Sequence, residues 1–118
     1  MREMQWARLQ ATVGSPLRRG AWYRVVSVTR LEAVVDVDGA RVAVPRPFVE
    51  IRAVPPREWT IVREGVGRGP ENIQSGYIVC PSCRHRVVLP FTQVPKLKCP
   101  RCERLFAIGW SEAYLPRT

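Results

Sequence analysis

Residues 80–83 of the chain are Cys-Pro-Ser-Cys, and residues 99–102 are Cys-Pro-Arg-Cys. The two segments hold every cysteine of the protein, namely Cys80, Cys83, Cys99 and Cys102. Two CxxC pairs with fifteen residues between them predict a zinc site. Two thiolates two residues apart can hold one side of a tetrahedral ion, with Zn–S bonds of about 2.3 Å, if the backbone turns tightly. The proline after each first cysteine favours such a turn, because it fixes φ.

Other interpretations of these cysteines stay open at this point. A redox CxxC pair is typical of a βαβ pattern, and no helix-period segment flanks either pair. Disulfides are typical of secreted chains, whereas the start of this sequence lacks the apolar core of a signal peptide. An iron–sulfur centre would use the same thiolates. We favour one Zn²⁺ because the cysteines fall in two matched CPxC turns. Four sulfur ligands leave no open position for water, so the ion is predicted to be structural.

The chain is strongly basic. Its 118 residues carry 19 Lys and Arg against 10 Asp and Glu, a formal net charge of +9 that both halves of the sequence share. A zinc ion held by four thiolates would add a charge of −2 and leave a net charge of about +7. A field of this size favours a polyanionic partner such as nucleic acid, or an acidic protein surface. No apolar run reaches the roughly 20 residues of a membrane span, so we expect a cytoplasmic protein without membrane contact.

The first half of the chain predicts a small all-β domain over residues 1–58. Aromatic and β-branched residues are frequent in five short runs, which are predicted strands. These runs are residues 5–13, 22–29, 31–37, 40–44 and 48–54. A short amphipathic helix over residues 3–10 competes with the first strand. No helix-period stretch is long enough to cover an open sheet, so the sheet is expected to curl into a barrel, which removes its edges.

A tight hairpin is predicted at Asp38-Gly39, because two alternating runs flank a dipeptide whose turn needs φ above zero at both positions. The valines at 35, 37, 42 and 44 are predicted to face a common core, and Asp36, Asp38 and Arg41 to face water. Residues 5–54, with this central hairpin, a turn interrupted by prolines and a short closing strand, resemble the SH3-like barrels, which include Tudor and KOW modules. A Tudor-type aromatic cage would use Trp22, Tyr23 and Phe48; the favoured alternative is that these side chains fill the barrel.

A connecting segment is predicted over residues 59–75, with a Gly-rich, polar and flexible part over 64–72. Residues 59–62 at its start are apolar enough for a short strand or a docking strip. Residues 76–118 form the second predicted domain, in which a strand precedes and follows each CPxC segment. Residues 77–110 resemble the short bacterial zinc-ribbon finger with two CPxC knuckles. The resemblance implies two hairpins, each carrying a knuckle, clamped on one metal ion. Such ribbons often have glycine after the second cysteine, where this chain has Arg84 and Glu103, so both positions are expected to need φ above zero.

No catalytic residue is predicted. The single histidine, His85, has no nucleophile with an activating context in the sequence, so we expect no enzyme and no small-molecule substrate. Basic residues instead flank the metal site and form a predicted nucleic-acid-binding surface. They are Arg84, Arg86, Lys96, Lys98, Arg101 and Arg104. Tyr77 and Phe91 are candidates for stacking on bases.

These observations predict a non-enzymatic zinc-binding adaptor that contacts nucleic acid, or a complex that handles nucleic acid, through its basic surface. The alternative is a protein–protein interaction module within a larger assembly, without direct nucleic-acid contact, because neither predicted fold fixes a function. Four tryptophans are many for this length. Trp59 is expected at the joint between the two domains, and any tryptophan left exposed would mark a partner site.

Overall fold

The computed structural model describes residues 4–11, 15–64, 75–112 and 114. The chain divides into two compact units, Met1–Pro56 and Arg57–Thr118. The described residues form strands, turns and one 3₁₀ turn, with no α-helix among them, so the all-β prediction is confirmed. No helix within these described ranges is long and apolar enough to cross a membrane.

The first unit is one antiparallel sheet of five short strands. They are β1 (Trp6–Leu9), β2 (Tyr23–Val28), β3 (Glu32–Val37), β4 (Ala40–Pro45) and β5 (Val49–Arg52), in the order β4-β3-β2-β1-β5. The register of β2 against β3 shifts between Val25 and Ser27. Such a bulge bends a strand and increases its twist. β2 therefore pairs with β1 through its first half and with β3 through its second half, and the sheet curls into a half-barrel.

The segment predicted as a strand over residues 5–13 is shorter in the structure. β1 ends at Leu9, and residues 12–14 lie outside the described ranges. The competing helix over 3–10 is wrong, because Trp6–Leu9 pairs with both β2 and β5. Sheet partners on both sides supply its backbone hydrogen bonds, which a helix would have to make within itself.

The predicted hairpin turn is confirmed at Asp38 and Gly39, whose φ values are 51° and 91°. The amide of Gly39 donates to Asp36 Oδ1 at 2.7 Å, and Val37 pairs with Ala40. Of the four predicted core valines, Val35 and Val44 are buried, whereas those at 37 and 42 are half-buried. The three residues predicted to face water, including Arg41, are exposed.

Trp22 is a buried side chain of the first unit and is covered by arginines. The guanidinium carbons of Arg8 and Arg52 lie 4.4 and 4.9 Å from the centroid of its ring. Tyr23 is also buried, and its hydroxyl accepts a 2.9 Å hydrogen bond from the amide of Arg18. The prediction that these aromatic side chains fill the barrel is therefore confirmed for both residues.

A 3₁₀ turn, Arg46–Phe48, links β4 to β5 and follows Pro45. The half-barrel with its central hairpin, this single turn and a short closing strand is consistent with the small barrel predicted from the sequence. Membership among the SH3-like barrels stays a prediction.

The second unit is another five-stranded sheet. Its strands are β6 (Glu58–Glu64), β7 (Ser75–Val79), β8 (Arg86–Val88), β9 (Lys96–Lys98) and β10 (Leu105–Ile108), in the order β8-β7-β6-β10-β9. The central strand β6 runs antiparallel to β7 and parallel to β10. Most of β6 falls within the predicted connecting segment 59–75. The greater part of the Gly-rich stretch in that segment, residues 65–72, lies outside the described residues.

Alternate residues of β6 put Trp59 and Ile61 on one face of the second sheet, as the two-residue period of a strand requires. They form a core with Ile78 and Ile108, and Trp59 is fully buried in it. Trp59 is therefore a core residue of the second unit. The expectation that it forms a joint between domains is not supported by this position.

Candidate metal centre

The first knuckle is closed by backbone hydrogen bonds around Cys80. Its amide donates to the carbonyl of His85 at 2.9 Å, and its carbonyl accepts from the amide of Arg84 at 3.1 Å. The amide of Ser82 points at Cys80 Sγ, 3.4 Å away. β7 ends at Val79 immediately before this turn, so the sulfur is placed by a strand and by three backbone contacts.

The second knuckle repeats the first, residue for residue. The amide of Cys99 donates to the carbonyl of Arg104 at 2.9 Å, and its carbonyl accepts from the amide of Glu103 at 2.8 Å. The amide of Arg101 lies 3.4 Å from Cys99 Sγ. Because both CPxC segments make the same contacts, the tight turns predicted from their sequences are confirmed.

The residue after the second cysteine of each knuckle adopts the left-handed region. The φ value is 66° at Arg84 and 61° at Glu103. This confirms the expectation drawn from the glycine that zinc ribbons often have at this point. A side chain with a Cβ atom is strained in this conformation, whereas glycine is not.

The four cysteine sulfurs lie together, all within 4.8 Å of one another. Cys80 Sγ is 3.7 Å from Cys102 Sγ, and Cys83 Sγ is 3.6 Å from Cys99 Sγ. A tetrahedron with Zn–S bonds of about 2.3 Å has edges of about 3.8 Å. All four are free thiols, at separations well beyond the roughly 2.05 Å of a disulfide. The donor set therefore fits a metal ion in the manner of a zinc ribbon.

The first cysteine of each knuckle belongs to the core of the second unit. Cys80 and Cys99 are fully buried and pack with Trp59, whereas Cys83 and Cys102 are half-buried. Each knuckle thus turns one sulfur inward and one toward the surface. An ion held by all four would join the two hairpins directly to the hydrophobic core.

Burial also raises the proton affinity of the thiols. Desolvation raises the pKa of Cys80 to about 12 and raises the pKa of Cys83. Burial acts in the same direction on Cys99, but the amides of Cys102 and Arg101 outweigh it and lower the pKa of Cys99 to about 7. At neutral pH the metal-free cluster therefore keeps protons on Cys80 and Cys83. A divalent cation must displace these protons when it binds.

The predicted basic residues lie mostly at the knuckle end of the second sheet. β8 begins at Arg86 just after the first knuckle, and β9 ends at Lys98 just before the second. Arg84, Arg101 and Arg104 belong to the knuckles themselves. Lys96 is at the other end of β9. Arg84 is half-buried, and the other five side chains are exposed.

Two of these arginines are stacked on aromatic rings. The guanidinium carbon of Arg86 lies 4.4 Å from the ring centroid of Tyr77, and that of Arg104 lies 5.8 Å from the centroid of Phe106. Arg104 Nη1 also donates to Ser82 Oγ at 3.4 Å, so a side chain of the second knuckle reaches the first. Ser82, Phe106 and Trp59 were absent from the predicted site. For Phe106 and Trp59, strand alternation next to the cysteines is the signal that identifies a core position.

The two aromatic candidates for base stacking differ in position. Tyr77 is half-buried, and Arg86 covers one face of its ring. Phe91 is 98% exposed in the loop between β8 and β9. Because β8 leads away from the first knuckle and β9 leads toward the second, this loop lies at the end of the sheet opposite the knuckles. The stretch from residue 89 to 95 contains no charged residue.

Comparisons with family models, with curated proteins and with solved structures found no match to this chain.

Proposed function

We propose that the four cysteines bind one structural Zn²⁺ and that the protein is a non-enzymatic, cytoplasmic adaptor that contacts nucleic acid. The observation that carries the first part is the clustering of all four sulfurs within 4.8 Å, on two knuckles of matching geometry. Four thiolates satisfy a tetrahedral ion completely, which leaves no position for substrate. Metal binding contributes on the order of 10–16 kcal/mol in zinc-finger peptides, so such an ion would stabilise a unit as small as this one.

The charge distribution supports the nucleic-acid role. Among the described residues, no carboxylate lies within ion-pair distance of Arg86, Lys96, Arg101 or Arg104, although all four are exposed. Lys98 makes one marginal contact, 4.0 Å from Glu103. Cations that are not neutralised by neighbouring carboxylates remain available for phosphate groups. Contacts of this kind are independent of sequence and weaken as salt increases.

The test is a titration of the full-length, zinc-loaded protein against short fluorescent DNA and RNA oligonucleotides over a range of salt concentrations. We expect binding at low salt. The logarithm of the binding constant should fall linearly with the logarithm of the salt concentration, with a slope of several units. A control protein of similar size and net charge measures the contribution of charge alone. Binding no tighter than that of the control would contradict the nucleic-acid role.

A second candidate function, a protein-interaction module, is favoured by one observation. Phe91 is almost completely exposed, in an uncharged loop that lies away from the basic knuckles. Large exposed apolar side chains are frequent at protein interfaces. If this function is correct, Phe91→Ala should abolish capture of a protein partner and leave nucleic-acid binding unchanged. Leu31→Ala, which removes another exposed apolar side chain, is the matched control.

A further inference from the structure

The two knuckles share a backbone conformation but differ in charge. The first knuckle and the two residues after Arg84 contain two arginines and no acidic residue. At the position equivalent to Arg84, the second knuckle has Glu103, which lies 4.0 Å from Lys98 Nζ. Because the hydrogen bonds of the two turns match, this difference results from the side chains alone. Over the seven equivalent residues, the first knuckle therefore carries a formal charge of +2 from Arg84 and Arg86, whereas the second carries +1, because Glu103 offsets one of its two arginines.

Arg104 adds to this asymmetry. It belongs to the second knuckle, but its guanidinium donates to Ser82 Oγ of the first. Ser82 and Arg84 lie within one tight turn, which the bond from the Cys80 amide to the carbonyl of His85 closes, and Arg86 follows this turn as the first residue of β8. Three guanidinium groups are thus associated with the first knuckle, and one of them comes from the other hairpin.

Two of the three guanidinium groups are held in place before any ligand arrives. Arg86 is stacked on Tyr77 and Arg104 on Phe106. Stacking occupies the face of a guanidinium and leaves the N–H groups at its edge for hydrogen bonds, and such an edge matches two oxygens of a phosphate. Arg104 uses one of these groups, on Nη1, for Ser82 and keeps its other N–H groups for a ligand. A side chain that is already ordered loses less conformational entropy when it binds. Arg101, which is exposed on the second knuckle, has no aromatic ring beneath it among the described residues.

Arg84 places a positive charge at the left-handed position of the first knuckle. Glycine would adopt its φ of 66° without strain, yet the chain has an arginine there. Glu103 has the same backbone conformation and carries the opposite charge, so only the charge at this position distinguishes the two knuckles.

On these observations, and building on the proposed function, we infer that the first knuckle is the phosphate-binding site of this protein. The guanidinium groups of Arg86 and Arg104 bind the sugar-phosphate backbone of a nucleic acid, and the charge of Arg84 supports them. Tyr77 and Phe106 orient the arginines and do not stack on bases. Recognition at this site is therefore directed at phosphodiester groups and is insensitive to base sequence.

The experiment compares variants of the full-length, zinc-loaded protein in the oligonucleotide titration. Arg86→Ala and Arg104→Ala should each weaken binding about five- to tenfold at low salt and reduce the salt slope by about one. Arg101→Ala removes the same charge from the other knuckle and should cost less than about twofold. Circular dichroism and zinc content check that each variant is folded. Equal losses for all three variants would overturn the assignment to the first knuckle.

A second pair of variants tests the same site with substitutions that should not disturb folding. Arg84→Gly and Glu103→Gly both relieve a left-handed position, so both should remain folded. Arg84→Gly should weaken binding, whereas Glu103→Gly should leave it unchanged or strengthen it. Identical binding by these two variants would also contradict the inference. If the wild-type protein itself binds no better than a basic control, the proposed function fails. If it binds but the variants do not separate, only the location of the site fails.

Discussion

The indole nitrogen of Trp59 donates a 3.0 Å hydrogen bond to the carbonyl oxygen of Leu97. This bond joins the central strand β6 to β9, the strand that leads into the second knuckle. Trp59 is fully buried and packs with Cys80 and Cys99. The same side chain therefore anchors the core beneath both knuckles.

Trp59→Phe should destabilise the second unit by about 2–3 kcal/mol. The substitution removes buried volume and leaves the carbonyl of Leu97 without its donor. Trp110→Phe is the matched control, because Trp110 Nε1 also donates to a carbonyl, that of Val94 at 2.7 Å, but its ring is only half-buried. Chemical denaturation of both variants should show the larger loss for Trp59→Phe. Equal losses would contradict the central place of Trp59.

Replacing a strained knuckle residue by glycine should stabilise the protein. At Arg84 and Glu103 the φ values are 66° and 61°, and a side chain costs about 1 kcal/mol there relative to glycine. Arg84→Gly and Glu103→Gly should each raise the free energy of unfolding by about that amount. Thermal unfolding of the zinc-loaded variants measures the effect. Loss of stability in both would show that the left-handed conformation is not the source of strain.

In the first unit, the ion pair of Arg8 and Glu50 should contribute more to stability than the exposed pair of Arg52 and Glu50. Arg8 Nε donates to Glu50 Oε1 at 2.8 Å, and the Arg8 side chain is only 3% exposed. Glu50→Gln should cost about 2 kcal/mol, because it removes the carboxylate from a buried cation. Arg52 also contacts Glu50, at 3.3 Å, but is half exposed, so Arg52→Gln should cost under about 1 kcal/mol. Urea denaturation distinguishes them, and equal costs would contradict this account.

Metal affinity should fall as pH falls. Burial raises the pKa of Cys80 to about 12 and that of Cys83 above its ordinary value, so both thiols hold protons at neutral pH when the site is metal-free. Binding the ion releases those protons, and acid therefore favours the metal-free state. Competition with a chromophoric zinc chelator, carried out at several pH values, measures the dependence. An affinity that is constant from neutral to mildly acidic pH would show that thiolates are not the ligands.

The sequence predicted those features that depend on residues close together in the chain. The Asp38-Gly39 turn, the two CPxC knuckles and the left-handed residues after them are each encoded within a few positions, and the structure contains them all. Strand β6 was not predicted as the centre of a sheet. Its parallel partner β10 is distant in the sequence, and Ile108 pairs with Trp59. The residues of neither strand alone indicate this pairing.

The burial of Arg8 is another feature that the local sequence does not predict. Strand alternation assigns it to solvent, since its neighbours Ala7 and Leu9 are buried. It is buried as well, because Trp22 and Glu50, distant in sequence, cover its guanidinium. Likewise, the hydrogen bond from Arg104 to Ser82 forms only because the fold places the two knuckles next to each other. Contacts of this kind become visible only when the whole chain is folded.

The presence of one structural zinc ion is tested by quantifying metal in the untagged protein, purified with reducing agent and without chelator. One zinc ion per chain is the predicted result, and Cys80→Ser or Cys99→Ser should lose it together with the fold of the second unit. A wild-type protein that kept its β-sheet signal while containing no stoichiometric metal would show that no ion holds the second unit together.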